Sequence, residues 1–400
     1  MEIYMKKIAV VTATRAEYGI LRPLIYRIQD ESEFELQLLV TGTHLSEKHG
    51  KTVTEIEKDE IPIYKKLPIL EDGNTPFDIS VTMANAICQF AACFRTDKPD
   101  LLIVLGDRTE ILGICCAAMN ENIPIAHLHG GELTEGAVDD CVRHAITKMS
   151  YLHFPALEVY RKRIIQMGES PDRVFCVGAL GVENTLHTQL LSYDDMCRET
   201  GVLPGQKYVI VTFHPVTHEQ GEEVHQTEEL IKAMKAHKEY FYLITMANAD
   251  AGGDRVNELL GKFAQEQSNV KLVASLGMVR YLSALQYSEF ALGNSSSGII
   301  EAPALGIPTV NIGDRQKGRL MADTVISCIP EKKAIEKSMQ QAGKMKHCRS
   351  SLYGDGNTSV KIIEILKYFL NNDAIDLKKQ FYDLERKYET YCDYSSQKRV

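Results

Sequence analysis

The sequence predicts an α/β protein with two Rossmann-like, doubly wound domains that face each other across a cleft. Short apolar runs rich in β-branched residues alternate with longer amphipathic stretches, which is typical of βα units and a mostly parallel sheet. The chain also opens twice in the same way, with a lysine, an apolar strand and a polar loop, at residues 6–12 and 207–212. Its 400 residues are enough for two or three domains.

The predicted strands fall into two series on either side of a polar segment at 180–206, which contains a Gly201 to Gly205 turn. We therefore predict an N-terminal domain at 1–190, a C-terminal domain at 206–355, and C-terminal helices and a tail at 356–400. Apolar spacing predicts that 359–371 is a helix packed on the body, whereas 377–400 is charged and tyrosine-rich. The predicted strands are 8–12, 36–41, 101–105, 123–127 and 174–177 in the first series, and 208–212, 241–245, 271–273, 290–292 and 309–312 in the second.

Composition excludes several functional classes. Lys and Arg number 45 against 54 Asp and Glu, and the resulting charge of −9 argues against a broad nucleic-acid or anionic-membrane surface. The longest apolar run, 111–119, is too short for a membrane span, and we expect no signal peptide. The 10 cysteines include no CxxC pair, so we expect a reduced, cytoplasmic protein without a metal site.

The loop after the first strand lacks the dinucleotide fingerprint GxGxxG, and no Walker loop occurs in the chain, so nicotinamide and ATP chemistry lose their usual support. Arg15 stands in this loop, where its planar guanidinium could bind a phosphate or carboxylate. An ion pair with Glu17 is the structural alternative.

Acidic residues follow the next strands at the same predicted sheet edge, where open α/β sheets bind ligands. Asp107 comes two residues after one buried strand, and Glu132 follows the strand after it. Two such carboxylates could divide acid and base roles, although a helix cap and a surface loop would explain them equally well. On the helix that follows, Asp139 or Asp140 should lie beside Arg143, either in the site or as a surface salt bridge.

The second half carries an anion-binding pattern. His214 ends its first strand and is held by Pro215, with a buried structural histidine as the alternative. A later strand is followed by Ser295, Ser296 and Ser297 at a helix start, which predicts a phosphate cradle rather than a simple N-cap. Glu301, one turn later, could bind a ribose diol, and 313–319 forms a basic loop.

Together these motifs resemble the UDP-N-acetylglucosamine 2-epimerases, in order over about residues 6–320, and most closely the hydrolysing branch. The non-hydrolysing branch carries Arg-Pro-Glu and a following lysine in the first loop, whereas this chain has Arg15-Ala16-Glu17 without that lysine. The motifs are Thr-Arg-Ala-Glu-Tyr-Gly at 14–19, Gly-Asp-Arg at 106–108, His-Gly-Gly-Glu at 129–132, Arg-His-Ala-Ile-Thr-Lys at 143–148, His-Pro at 214–215 and Gly-Asn-Ser-Ser-Ser-Gly at 293–298.

The resemblance implies a GT-B fold with a UDP-sugar in the cleft, no cofactor, no metal, and a homo-oligomer, either a dimer or a tetramer. It implies a reaction that releases UDP and N-acetylmannosamine from UDP-N-acetylglucosamine for sialic-acid-type sugar synthesis, by elimination to 2-acetamidoglucal and hydration. By motif match, Asp107, Glu132, Asp140 and His214 would be catalytic, and the substrate would be bound by Arg15, Asp139, Arg143, His214, Ser295, Ser296, Ser297 and Glu301.

Three alternatives stay open at this point. The sugar could be UDP-2,4-diacetamido-2,4,6-trideoxyglucose, used for legionaminic acid, because the sequence says little about its C4 and C6 substituents. A GT-B glycosyltransferase would share the fold and the UDP site but require an acceptor. A non-catalytic nucleotide-sugar binder would not need the acidic residues.

Overall fold

Two parallel six-stranded sheets organise the chain, in a computed structural model that describes residues 5–71, 73, 75–133, 138–215, 221–247, 252–372 and 374–384. The first sheet comprises β1 (Lys6–Thr12), β2 (Phe34–Thr41), β3 (Ile63–Leu67), β4 (Leu101–Leu105), β5 (Ile125–Leu128) and β6 (Leu152–Phe154). The second comprises β7 (Tyr208–Thr212), β8 (Phe241–Thr245), β9 (Val270–Val273), β10 (Ala291–Gly293), β11 (Thr309–Ile312) and β12 (Val325–Cys328).

Helices connect these strands and cover both sheet faces. In the first half they are α1 (Arg15–Asp30), α2 (Val53–Lys58), α3 (Pro76–Thr96), α4 (Thr109–Asn120), α5 (Val138–Met149), α6 (Glu158–Gln166), α7 (Leu180–His187) and α8 (Tyr193–Thr200). In the second half they are α9 (Glu222–Ala236), α10 (Gly253–Glu266), α11 (Gly277–Gln286), α12 (Ser297–Leu305), α13 (Lys332–Ala342) and α14 (Thr358–Asn371).

Both sheets have the same doubly wound topology. Their strand orders are β3-β2-β1-β4-β5-β6 and β12-β11-β10-β7-β8-β9, and each is the Rossmann order 3-2-1-4-5-6 when strands are numbered within the sheet. The strand order reverses between β1 and β4 and between β7 and β10, so the crevices for ligands lie at the carboxyl ends of these four strands. The predicted fold class is confirmed.

Alternation along the buried strands builds a separate core on each face of a sheet. Ile8 and Val10 of β1 face α1 and α14, whereas Ala9 and Val11 face α3 and α4. A further cluster contains Tyr160 and residues from both halves of the chain, so apolar packing joins the two lobes. This cluster comprises Ala156, Leu157, Tyr160, Ala179, Val182, Ile299, Ala304 and Tyr353.

The helix predicted at 359–371 is confirmed, because α14 packs its apolar face on the first lobe after the chain has left the second. The predicted domain limits at 190, 206 and 355 stay predictions. The described part of the tail, 374–384, contains no helix or strand, and its remainder, 385–400, lies outside the described residues.

One expected strand is wrong and three were missed. Residues 174–177 form only an isolated bridge, Val174 with His153, because β6 ends at Phe154, directly before Pro155, whose nitrogen has no hydrogen to extend a ladder. The missed strands β3, β6 and β12 all lie at sheet edges, where strands are short or partly exposed and lack a continuous apolar run.

By length and composition, α3 is a helix that could cross a membrane, with 21 residues and a mean hydropathy of 1.3. The expectation that nothing spans a bilayer rested on uninterrupted apolar runs and did not consider this helix. In the fold α3 packs against α4, and Ala86, Phe90, Cys93 and Phe94 lie in a hydrophobic core of the first lobe. A core helix passes the same length and composition test.

Gly293 at the end of β10 is required by a close approach to β7. Its φ is +136°, and a Cβ atom at this position would lie 2.0 Å from the Thr212 carbonyl oxygen. We expect Gly293→Ala to lower the free energy of unfolding by roughly 2–6 kcal/mol, because it combines a backbone clash with strained φ. Urea denaturation measures this loss.

The matched control is Gly205→Ala, where φ is +78° and no described atom beyond the two neighbouring residues lies within 4 Å of the added Cβ. This variant should lower the free energy of unfolding by only about 1–2 kcal/mol, which is the cost of placing alanine in a left-handed backbone conformation. Equal losses in the two variants would contradict a role for close packing at position 293.

Candidate active site

Arg15 is the first residue of α1, which follows β1. Thr14 caps this helix by accepting a hydrogen bond from the Glu17 amide. The Arg15 Nε atom is 3.2 Å from Glu55 Oε1, so the alternative pair with Glu17 does not form. Glu17 instead accepts a hydrogen bond from the Ala13 amide, and burial raises the pKa of its carboxyl to about 7. The Arg15 guanidinium reaches toward the start of α11, because a Cβ on Gly277 would lie 3.5 Å from it.

Arg143 organises the acidic side of the site. Its side chain is 2% exposed, and its guanidinium forms ion pairs with Asp107 and, at 2.6 Å, with Asp140. It also donates a 2.9 Å hydrogen bond to the Glu132 carbonyl. Asp140 is thus a partner of Arg143, and Asp139 is exposed in the first turn of α5.

His127 is a structural residue beneath this cluster. Its Nε2 atom lies 2.7 Å from the Gly106 carbonyl and its Nδ1 atom 3.2 Å from the Thr147 hydroxyl. Since a carbonyl only accepts, Nε2 carries the hydrogen. Burial lowers the pKa of this imidazole to about 3, so the ring is neutral and fixes the turn that presents Asp107.

Glu132 joins the two lobes. Its Oε1 atom is 2.9 Å from His129 Nδ1, and its Oε2 atom is 3.1 Å from the guanidinium of Arg319, which belongs to the second lobe. Burial alone would raise the pKa of Glu132, but the positive charge of Arg319 together with His129 and Arg143 lowers it to about 2. Glu132 is therefore a buried carboxylate whose two oxygens are both engaged.

In the second lobe, His214 is tied to the serine loop through Asn294. The Asn294 side chain accepts from the His214 amide and donates to the His214 carbonyl, both at 2.8 Å. Arg315 and Gln316 donate to the Asn294 carbonyl at 3.2 and 2.9 Å. Burial, and then the charge of Arg315, lowers the pKa of His214 to about 4, so its imidazole is neutral near pH 7.

The serine loop differs in detail from the predicted cradle. The Ser297 amide donates to Ser295 Oγ at 3.3 Å and the Gly298 amide to the Ser295 carbonyl at 3.1 Å, so these first-turn amides are already bonded. The hydroxyl of Ser297 and the Oε2 atom of Glu301 are buried and lack hydrogen-bond partners within the described part of the chain. Burial raises the pKa of Glu301. An anion would thus meet side-chain groups of the loop before its amides.

A cavity of about 390 Å³ opens between the lobes at Arg15, Ser297 and Glu301. A larger groove of about 700 Å³, between 171–177 and α14, contains none of the predicted site residues. The interlobe cavity is lined by Arg15, Ala16, Gly19, Ile20, Gly181, Asn184, Thr185, Met278, Tyr281, Leu282, Ser297 and Glu301.

Two residues that the sequence analysis left out of the site hold it together. His129 stands in the His-Gly-Gly-Glu motif, and Arg319 ends the basic loop at 313–319, so each had a sequence signal that was not used. Among the described residues no group of three or more His, Cys, Asp or Glu side chains could hold a metal ion.

Comparison with known proteins gives a consistent result. Residues 26–367 match the sequence model of a family described as UDP-N-acetylglucosamine 2-epimerase. The GDP/UDP-N,N'-diacetylbacillosamine 2-epimerase (hydrolyzing) of Campylobacter jejuni is 40% identical over 80% of this chain and 84% of its own. Polysialic acid biosynthesis protein P7 of Escherichia coli is 37% identical over 95% of this chain and 98% of its own.

A third relative, the UDP-N,N'-diacetylbacillosamine 2-epimerase (hydrolyzing) of Legionella pneumophila, is 34% identical over 91% of this chain and 96% of its own. Among solved structures, UDP-GlcNAc 2-epimerase from Neisseria meningitidis bound to UDP-GlcNAc superposes with a TM-score of 0.78. It is 19% identical and covers 90% of this chain and 100% of its own, which supports the fold.

The Glu132–Arg319 pair generates a stability prediction. Arg319→Met removes the cation and leaves the buried Glu132 carboxylate without its arginine partner, which costs about 3–5 kcal/mol of unfolding free energy. Lys317→Met is the control, because this lysine lies in the same loop with a side chain that is 59% exposed. Urea denaturation at pH 7 compares the two variants, and similar midpoints would argue against a buried pair between the lobes.

Proposed function

We propose that this chain, which belongs to the hydrolysing branch of the UDP-N-acetylglucosamine 2-epimerase family, cleaves a UDP-linked 2-acetamido sugar and inverts its C2 centre. The observation that carries the proposal is the convergence of the two lobes. The acidic cluster around Arg143 and the loop of His214 and Ser295–297 belong to different sheets, and the Glu132–Arg319 pair holds the lobes together beside them.

The second lobe is the side proposed for UDP. His214, Ser295, Ser296 and Ser297 would contact the phosphates or ribose, and Glu301 would accept hydrogen bonds from the ribose diol. Arg15 is suited to the diphosphate because it projects from the first lobe toward α11 of the second. A neutral His214 can donate a hydrogen bond to a phosphate oxygen as charge develops there.

The first lobe is the side proposed for the sugar. C2–H of such a sugar is not adjacent to a carbonyl, so departure of UDP must run ahead of proton removal. As the C1–O bond breaks, the ring gains oxocarbenium character, which makes C2–H acidic and rewards nearby negative charge. Asp107 suits this role, because its ion pair with Arg143 positions its side chain at the carboxyl end of β4.

The remaining acidic residues have supporting roles in this scheme. Asp140 shares Arg143 with Asp107 and so fixes the guanidinium between them. Asp139 lies in the same first turn of α5 and remains a proposed sugar contact. After elimination, water adds to C1 of the glycal and a proton returns to the opposite face of C2, which gives the epimer as a free sugar.

For the sugar itself we propose UDP-N,N'-diacetylbacillosamine, which is the 2,4-diacetamido-2,4,6-trideoxyglucose donor of the sequence analysis. Support comes from the names of the C. jejuni and L. pneumophila relatives, 40% and 34% identical to this chain. UDP-N-acetylglucosamine, the donor first expected, is the second candidate, because the matched family carries its name. A cytoplasmic location, a homo-oligomer and a role in sialic-acid-type synthesis stay predictions.

Turnover in D₂O tests the reaction and the donor together. With each UDP-sugar in turn, we expect UDP release without an added acceptor and one deuterium at C2 of the epimerised free sugar, because C2–H is exchanged. Nuclear magnetic resonance reports both. The diacetamido donor should have the higher kcat/KM, and a higher value for UDP-N-acetylglucosamine would reverse the order proposed here.

The same experiment separates the rival functions. A requirement for an acceptor would indicate a glycosyltransferase, and binding without turnover would indicate a nucleotide-sugar binder. Release of a product without deuterium at C2 would reject the elimination mechanism.

Asp107→Asn should lower kcat by about 10²–10⁴, because it removes the negative charge beside the developing cation and a potential proton acceptor. Asp194→Asn is the control, since Asp194 is exposed on α8. Initial-rate kinetics on both variants, with circular dichroism to confirm folding, provide the measurement. Full activity of Asp107→Asn would remove this residue from the chemistry.

A further inference from the structure

The surroundings of Glu132 are poorly suited to the acid–base role that the motif match gives it. The residue is 4% exposed, and its two carboxylate oxygens are held by His129 Nδ1 at 2.9 Å and by Arg319 at 3.1 Å. Burial alone would raise the pKa of Glu132, but the positive charge of Arg319 and the hydrogen bond from His129 lower it to about 2, which keeps the group ionised and weakly basic. A carboxylate in this state is a strong orienting group and a poor proton acceptor.

His129 has the opposite character. Its backbone adopts φ +63°, a left-handed conformation that is uncommon for any residue except glycine and that tends to occur at functional sites. The residue directly follows β5, at the carboxyl edge of the first sheet, where Asp107 follows β4. The strained backbone therefore places the His129 imidazole at the same sheet edge as the acidic cluster.

The hydrogen bond to Glu132 determines which imidazole nitrogen can accept a proton. A carboxylate only accepts, so His129 Nδ1 carries the hydrogen, and in the neutral ring Nε2 holds the lone pair. His129 Nε2 is buried and has no hydrogen-bond partner among the described residues. A buried, oriented nitrogen with an open acceptor position is the arrangement expected of a general base.

Charged groups from several elements surround Glu132, the hydrogen-bond partner of this imidazole. Glu132 lies in the same loop as His129, Arg143 of α5 donates to the Glu132 carbonyl, and Arg319 of the second lobe pairs with the Glu132 carboxylate. Glu301 of α12 lies near enough for His129 to affect its ionisation. Glu301 also lines the interlobe cavity, so His129 lies close to a residue of that cavity.

We propose that His129 is a catalytic residue whose Nε2 atom exchanges the proton at C2 of the sugar, and that Glu132 is a positioning residue that orients it. This inference rests on the proposed function. It replaces the acid–base role given to Glu132 by motif match and leaves Asp107 to stabilise the cation.

The proposed elimination step balances without a further reactant. The C1–O bond breaks and its electron pair leaves with UDP. The C2–H electron pair becomes the second bond between C1 and C2, and the proton passes to His129 Nε2, which gives an imidazolium paired with the Glu132 carboxylate. Hydration then adds one water equivalent, with a hydroxyl bonding to C1 and a proton from solvent bonding to the opposite face of C2, and the His129 imidazolium returns its proton to solvent.

The test is chemical rescue of His129→Gly by imidazole. Glycine accepts φ +63° without strain and leaves a space of imidazole size, so folding should be preserved. We expect kcat to fall by about 10²–10⁴ and UDP affinity, measured by calorimetry, to change less than threefold. Added imidazole should restore kcat at least tenfold and restore deuterium incorporation at C2 in D₂O.

Two controls make the result specific. His129→Asn keeps a residue that tolerates left-handed backbone but fills the space, so it should be equally impaired and not respond to imidazole. Asn122→Gly, at another position of positive φ (54°), should keep wild-type activity with or without imidazole.

The failures of the two proposals are distinguishable. If the wild-type enzyme turns over neither UDP-sugar, the proposed function is wrong. If the wild type is active and a folded His129→Gly keeps more than a tenth of kcat, or is inactive and not rescued, His129 is not the proton-exchanging group.

Discussion

The buried ion pair between Glu132 and Arg319 is the contact on which the arrangement of the site depends. It joins the loop after β5 to the loop after β11, so it connects two lobes that also pack through an apolar cluster around Tyr160 and Tyr353. Two charges removed from water cost several kcal/mol each, and their attraction offsets this only when the geometry is good. The main effect of the pair is therefore to fix the position of the two lobes relative to each other, and its net contribution to the free energy of unfolding is smaller.

The doubly wound topology explains why functional residues separated by up to 300 positions come together. Each sheet reverses its strand order once, and the loops at that reversal point away from each other and leave a crevice. Arg15 and Asp107 follow β1 and β4, whereas His214 and Ser295 follow β7 and β10. Two crevices facing each other give one cleft between the lobes, and Arg15 of the first lobe and Ser297 and Glu301 of the second line the cavity within it.

Sequence reasoning identified what is encoded locally. The buried strands β4 and β7, the residues that follow them, and the helix spacing of Asp140 and Arg143 were all readable, because each depends on neighbours within a few positions. The edge strands could not be predicted from the sequence, since their partly exposed residues show little apolar pattern. The pairing of Glu132 with Arg319 was also unreadable, because it depends on how the two lobes pack and neither loop contains its partner.

Buried polar atoms that have hydrogen-bond partners indicate structural residues, and buried polar atoms that lack them indicate candidate reactive residues. The polar side-chain atoms of His127 and Glu132 are hydrogen-bonded or ion-paired, so these two residues have the structural role of holding their loops in place. His129 Nε2, Ser297 Oγ and Glu301 Oε2 are buried and unpartnered among the described residues, and such atoms cost about 1–3 kcal/mol each. His129 belongs to the first lobe, whereas Ser297 and Glu301 belong to the second. A ligand can therefore bond to all three atoms, and offset the free-energy cost of leaving them unpartnered, only if it spans the cleft. A UDP-sugar, with hydroxyls at one end and a reacting carbon at the other, has the chemistry to do so.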